Sequence, residues 1–126
     1  MSNSPQPLQG IRVLDFGHTI MGPCAGLLLA DLGADVIKIE QVEGDATRRL
    51  PGFAAGFFAT FGRNKRSVAI DLKKKEGQAV VRRLAKGADV VLENYGPGTI
   101  ERLGCGYEQL SAENPRLVYL SMKGYL

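Results

Sequence analysis

Few groups in this chain could do chemistry, and they are scattered along it. His18 is the sole imidazole, set in the loop Gly17-His-Thr-Ile-Met-Gly22. No Ser, Cys or metal-binding partner stands at a spacing that would pair with it. An orienting role is therefore the commoner reading, with general-base work the alternative. Cys24, just after Gly22-Pro23, could have its thiol pKa lowered by a helix N-terminus, although a small buried side chain is the plainer account. Cys24 and Cys105 lie far apart and outside any Cys-x-x-Cys or Cys/His cluster, so neither a zinc site nor a disulfide framework has support and no metal is expected. Asp15-Phe16-Gly17 spells a kinase tripeptide, but neither a Gly-rich phosphate loop nor a catalytic loop accompanies it. Glu40 could accept hydrogen bonds from a ribose; a surface carboxylate at a strand end is the plainer expectation. No residue is assigned a catalytic role on these grounds.

The cations are more informative. Between Arg63 and Lys86 nine basic residues (63, 65, 66, 73, 74, 75, 82, 83 and 86) face two acidic ones, Asp71 and Glu76, in a chain whose net charge is only +3. The turn Arg63-Asn-Lys-Arg66, the run Lys73-Lys-Lys75 and Arg102 recur where strands end and helices begin, and Asn94-Tyr-Gly-Pro-Gly98 adds a turn rich in accessible backbone. Together they suit a ligand with several phosphates and a long neutral arm that needs backbone amides as well as charge. Coenzyme A and a dinucleotide both fit that description. The excess is too modest, and too poor in interleaved aromatics, to argue for nucleic acid.

The elements that must position these groups begin with residues 11–40. Ile11, Val13, Leu14 and Phe16 form an apolar run closed by Gly17; Pro23 suits the first turn of a helix, and Gly33 stops it. Asp35-Val-Ile-Lys-Ile-Glu40 is then a short β-branched run, so the whole reads as one βαβ unit of a parallel sheet. In such a sheet the strand-end loops share an edge, and the ligand binds there. A dinucleotide fold would place Gly-x-Gly-x-x-Gly in the first turn. The chain lacks it, which weighs against a nicotinamide-dependent reductase.

Further along, 41–50 reads as an exposed polar loop, and 53–61 as a short helix or irregular segment setting Phe rings against the core. The pattern predicts a strand over 67–72 and a helix from Lys73 to about Lys86, with Val80, Val81, Leu84 and Ala85 inward. A strand over 89–93, short helices over 100–103 (N-capped by Thr99) and 107–113, and a strand over 117–122 complete it. At 126 residues and 44% hydrophobic, the chain has enough for one domain with a real core. The expected fold class is α/β: a Rossmann-like parallel sheet with flanking helices, truncated after its fifth strand. Residues 1–9 read as a flexible start without the basic and apolar regions of a signal peptide. No run is long enough to span a bilayer, so a cytoplasmic protein with no membrane partner is expected.

Leu8-Gln-Gly-Ile-Arg-Val-Leu-Asp-Phe16, Gly22-Pro23, Leu32-Gly-Ala-Asp-Val-Ile-Lys-Ile-Glu40, Gly44-Asp45, Asn64-Lys-Arg-Ser67, Asp89-Val-Val-Leu-Glu-Asn-Tyr-Gly-Pro-Gly98 and Asn114-Pro-Arg116 occur in order, at characteristic spacing. From about Pro7 to Tyr125 the chain resembles the N-terminal part of the class III (family III) CoA-transferases. That group includes formyl-CoA transferase and the carnitine and bile-acid CoA-transferases. The resemblance implies that residues 10–126 are an incomplete Rossmann-like domain that binds CoA or acyl-CoA, in an enzyme whose full-length subunits interlock as a homodimer. It implies transfer of CoA from an acyl-CoA thioester to a carboxylic acid through an aspartyl-CoA intermediate, a covalent relay that splits one hard acyl transfer into easier steps.

Carried over by position, the resemblance has Ile20 and Met21 border the thioester, while Ile70, Asp71, Leu72 and Lys73 cradle the adenosine part. Asn94, Tyr95 and Gly96 face the pantetheine or pyrophosphate, and Arg102 pairs with phosphate. Gln41 stands where some members carry an arginine that contacts the nucleotide, and Ile20 where some carry a glutamine. The nucleophilic aspartate of the family lies C-terminal to Leu126, and none of Asp15, Asp31, Asp35, Asp45, Asp71 or Asp89 takes its place. A fragment of an enzyme that does not turn over alone is one expectation; a non-catalytic nucleotide-binding or partner-binding module is the other. A fifth strand with no helix after it leaves backbone and apolar surface unpaired, so the chain is expected to associate. Sizing chromatography should return an apparent mass above the monomer's 13.6 kDa; a clean monomer would overturn that expectation.

Overall fold

The computed structural model describes residues 5–124. Five parallel strands, β1 (Arg12–Asp15), β2 (Asp35–Glu40), β3 (Arg66–Ala69), β4 (Val90–Glu93) and β5 (Val118–Ser121), form one sheet in the order β3-β2-β1-β4-β5. The helices are α1 (Met21–Asp31), α2 (Phe57–Phe61), α3 (Lys75–Lys86), α4 (Thr99–Arg102) and α5 (Tyr107–Ser111). Because side chains alternate along a strand, consecutive residues of β1 serve different layers. Val13 packs with Val36, Leu92 and Ala30 of α1, whereas Leu14 joins Ile37, Val91, Val81 and Ala85 of α3, Ile100 and Leu110 on the other side. The Rossmann-like fold expected from sequence is thus present.

Several expectations need correction. Residues 41–50 are not simply an exposed loop. Asp45 and Thr47 are buried, and a 3₁₀ turn over Ala46–Arg49 is capped by Asp45, whose Oδ1 accepts from the Thr47 amide at 2.8 Å and the Thr47 hydroxyl at 2.6 Å. Glu40 is not a surface carboxylate: it is buried and salt-bridged to Arg48 at 2.7 Å. The Phe rings of 53–61 do not enter the core. Phe53 is 95% exposed, Phe53, Phe57 and Phe61 meet edge to face along the outside, and Phe58 lies 3.7 Å beneath the Arg48 guanidinium. Thr99 is the first residue of α4, not its cap; Gly98, with φ of 74°, takes that place. Val80 stays at the rim of α3 while Val81 and Ala85 are buried. The expected flexible start lies partly in residues 1–4, outside the described residues. Leu8, by contrast, is tied down, its amide donating to the Leu32 carbonyl at 2.9 Å.

The basic stretch is also less available than its composition suggests. Arg63 pairs with Asp31 at 3.0 Å, Arg66 with Asp35 at 2.6 Å, Lys74 with Asp71 at 3.8 Å and Lys86 with Glu113 at 3.2 Å. Lys65 is the most altered: its side chain is 1% exposed, its ammonium lies 2.6 Å from Asp15 and donates to the Pro23 carbonyl at 2.7 Å. Burial drives the Lys65 pKa down, with the Asp15 carboxylate opposing it. Gly26 makes room for this pair, since a Cβ there would stand 2.5 Å from Asp15 Oδ2. Removing one partner of a buried pair strands the other charge, a loss of about 3–5 kcal/mol. Lys65→Met should therefore lower the unfolding free energy in urea by that amount, and a change below about 1 kcal/mol would show that Asp15 does not depend on it.

Candidate functional site

The carboxyl ends of β1 and β4 are neighbours, yet their chains leave toward opposite faces of the sheet, α1 on one and α4 on the other. This is the topological switch point, where the diverging loops leave a crevice. The β1–α1 loop is pinned there from three sides. The Gly17 amide donates to Asp15 Oδ1 at 2.7 Å, and the Gly17 carbonyl accepts from Lys38 Nζ at 2.7 Å. Asn94, just past β4, uses its whole side-chain amide on His18: Oδ1 accepts from the His18 N–H at 2.8 Å and Nδ2 donates to the His18 carbonyl at 3.1 Å. Gly17 and Gly22 bring the two ends of the loop together so closely that a Cβ on Gly17 would sit 2.6 Å from Gly22 Cα.

Two clefts open at this edge. The first, about 340 Å³, is lined by Ile39 to Glu43, by Ile70, Asp71, Leu72 and Lys73, and by Tyr95, Thr99 and Leu103. The second, about 270 Å³, lies between residues 16–19 and 44–47. Ile39, Glu40, Gln41 and Tyr95 belong to both. His18 meets the Tyr95 ring edge-on at 5.0 Å.

Two acids at the clefts, Glu40 and Asp45, are held ionised. Burial alone would raise the Glu40 carboxyl, but hydrogen bonds from Arg48, Ser67 and the Asp45 amide outweigh it and hold the pKa below its ordinary value. Asp45 is likewise raised by burial but brought below its ordinary value by Lys38, 2.9 Å away, and by Thr47. Burial, with Asp45 adding, pushes the Tyr95 phenol up. Cys105 is fully buried and its thiol is pushed up to about 12, which makes it a packing residue.

Of the residues singled out from sequence, Ile70, Asp71, Leu72, Lys73 and Tyr95 meet in the first cleft. Arg102 stands beside it, donating to Thr99 Oγ1 at 3.0 Å. Ile20 and Met21 are exposed at the start of α1, Gly96 is exposed with open space around it, and Asn94 clamps the neighbouring loop. Sequence reasoning named Gln41 only as a departure from an arginine found in some family members, and missed Val42, Glu43 and the lining from Gly44 to Thr47. The strand-end position of Glu40 was the available signal for the first group. Among the described residues no cluster of His, Cys, Asp and Glu could hold a metal ion, and no helix is long and apolar enough to cross a membrane.

A parallel sheet in this order, with two clefts at its switch point, defines a Rossmann-like α/β protein. Residues 8–126 match CoA-transferase family III, and the chain belongs to that family. It is 43% identical over 98% of its length to the probable fatty acyl-CoA transferase Rv3272 of Mycobacterium tuberculosis, and 42% identical over 99% to succinate–glutarate CoA-transferase of Agrobacterium fabrum. The crystal structure of Rv3272 in its orthorhombic form superposes with a TM-score of 0.90 at 45% identity, covering 98% of this chain and 36% of that one. A CaiB/BaiF family protein from Brucella suis superposes at 0.88 and 41% identity, covering 97% of this chain and 34% of that one. The chain spans about a third of the length of the curated relatives it matches, 33% of the first and 34% of the second.

The lowered carboxyls make stability pH-dependent in one direction. The folded pKa values of Glu40 and Asp45 lie below their ordinary values of 4.5 and 3.8, so the unfolded chain takes up protons first as pH falls. Their stabilisation is complete above those ordinary values and is lost below them. Unfolding free energy should drop as pH falls below about 4.5, and Arg48→Met should flatten the drop; an unchanged slope in that variant would remove Glu40 from the account.

Proposed function

We propose that this chain is the CoA-holding portion of a CoA-transferase that moves CoA from an acyl-CoA thioester to a carboxylic acid. The observation that carries the reading is the first cleft, which gathers Ile70 to Lys73 from one segment and Tyr95 from another in a chain of CoA-transferase family III. Ile39, Ile70, Leu72 and Leu103 offer apolar walls to the adenine ring, and Lys73 and Arg102 stand at the rim for phosphates. The neutral arm then passes Tyr95 and the open backbone at Gly96 toward Ile20 and Met21. Related proteins bearing this stretch are named for fatty acyl-CoA and for succinate–glutarate CoA transfer, in keeping with one CoA site serving different acids.

In the reaction we infer, an aspartate carboxylate attacks the thioester carbonyl, releasing CoA thiolate and leaving a mixed anhydride. The thiolate then attacks the aspartyl carbonyl, freeing the first acid and forming aspartyl-CoA, from which a second carboxylate takes CoA by the reverse steps. The described aspartates all have protein partners. Asp15 and Asp45 hold buried lysines, Asp31, Asp35 and Asp89 bind at the amino edge, and Asp71 Oδ1 accepts the Lys73 amide at 3.0 Å. This supports a nucleophile outside residues 5–124; we further propose that the full-length enzyme is an interlocked, cytoplasmic homodimer. The pairing of the described aspartates equally favours, for the chain alone, binding of CoA without turnover.

Calorimetric titration of CoA into the chain, with NAD as the control, tests the reading. CoA should bind and NAD should not, and Lys73→Ala should weaken CoA about tenfold, as expected for losing a hydrogen bond to a charged group worth about 1.5 kcal/mol. Failure of CoA to bind would overturn it.

A further inference from the structure

We propose that Lys123, which lines neither cleft, is a positioning residue for CoA: together with Glu93 it holds the backbone of Tyr95, and through it the wall that both clefts share. The inference rests on the CoA reading of the first cleft and adds to it a residue from beyond the edge strand β5. The two clefts have Ile39, Glu40 and Gln41 in common from the end of β2, and Tyr95 from the loop after β4. Where Tyr95 stands therefore sets the width of both.

The main chain at Tyr95 is gripped at both of its polar groups. Its amide donates to Glu93 Oε2 at 2.8 Å, and its carbonyl accepts from Lys123 Nζ at 2.7 Å. The same ammonium donates to Glu93 Oε1 at 2.6 Å and Oε2 at 2.9 Å, and the Ser121 hydroxyl donates to Oε1. An ammonium has three N–H donors and an ionised carboxylate about four acceptor positions, so both groups are fully used. Glu93 is completely buried and the Lys123 side chain is 13% exposed, so water competes little for these bonds. With no capacity left for a ligand, the pair can act on CoA only through Tyr95.

The loop needs this hold because its own sequence supplies little rigidity. Gly96 has open space around it, Pro97 has no amide hydrogen to donate, and Gly98 adopts φ of 74°. The Asn94 side chain is committed to the His18 backbone. Fixing the Tyr95 main chain at both ends of its peptide groups leaves the ring to settle against the apolar core and the His18 imidazole, 5.0 Å away. A binding wall must be held within about 0.5 Å of its productive place, and groups outside the lining commonly do that holding.

The test pairs calorimetric titration of CoA with NMR of the chain labelled with ¹⁵N-tyrosine. The Tyr95 amide, assigned by its absence from Tyr95→Phe, reports the backbone grip, while the Tyr107 and Tyr119 amides report the fold. Lys123→Met removes the ammonium. Because it strands the buried Glu93 carboxylate and can unfold the chain, the double variant Glu93→Gln with Lys123→Met, which leaves no unpaired charge, is measured beside it. In a variant that keeps the Tyr107 and Tyr119 amides in place, the Tyr95 amide should move and CoA should bind about tenfold more weakly, the size of effect a lost charge-assisted hydrogen bond has when it reaches the ligand. Unchanged CoA affinity in a folded variant, or weaker binding with the Tyr95 amide unmoved, would overturn the inference and leave the CoA reading standing. Loss of the fold in both variants would make the pair a support of the sheet alone, and would overturn it too. Failure of the unsubstituted chain to bind CoA would overturn the CoA reading, and this assignment with it.

Discussion

Buried charge at the carboxyl ends of the strands is the constraint on which the rest of this structure depends. Asp15 closes β1, Glu40 closes β2 and Glu93 closes β4, and all three are buried at the edge where the loops diverge. A carboxylate removed from water must find a cation and further hydrogen bonds or lose its charge. Each obtains them from a segment outside its own strand. Lys65 reaches Asp15 across 50 residues of sequence, Lys123 reaches Glu93 across 30 and adds a bond to the Tyr95 carbonyl at 2.7 Å, and Arg48 returns to Glu40 across eight. Ser121 also donates to Glu93.

These pairings shape the site by deciding where the loops can go. Lys65 draws the turn before β3 against the start of α1, and Gly26 is small because the ion pair passes over it. Lys38, within the carboxyl half of β2, holds both Gly17 and Asp45, so the two walls of the second cleft hang from one ammonium. Asn94 repeats the device without charge, bonding both polar groups of the His18 backbone. The result is a second cleft whose acids, Glu40 and Asp45, are already paired, with backbone and neutral side chains making up the rest of its lining. Lys73 and Arg102, by contrast, stay at the rim, where water still solvates them.

The exposed surfaces follow from the same sheet. On the side covered by α1, the β5 residues Val118 and Leu120 remain open, 62% and 42% exposed, although a parallel sheet is ordinarily covered on both faces. The aromatic row of Phe53, Phe57 and Phe61 is open too, held by ring-on-ring contacts outside the core.

How much of this was legible in the sequence depended on range. Apolar runs, Pro23, Gly33 and the β-branched pattern of 35–40 act locally, so they determined the strands, the main helices and the parallel α/β class. The family motifs determined membership and drew attention to Ile70–Lys73 and Tyr95, which do meet in one cleft. Charge could be counted but not placed, because an ion pair is a matter of distance. The basic stretch at 63–86 therefore read as a phosphate surface, when Lys65 and Arg66 are bound to Asp15 and Asp35. Glu40 and the 41–50 segment read as solvated for the same reason, since nothing local to them reveals that Arg48, Ser67 and Lys38 converge there. The sequence by itself determined which elements form and which family they belong to. Only the tertiary structure decided which charges are spent inside and which groups remain for a ligand, because that division is made by contacts between residues far apart in the chain.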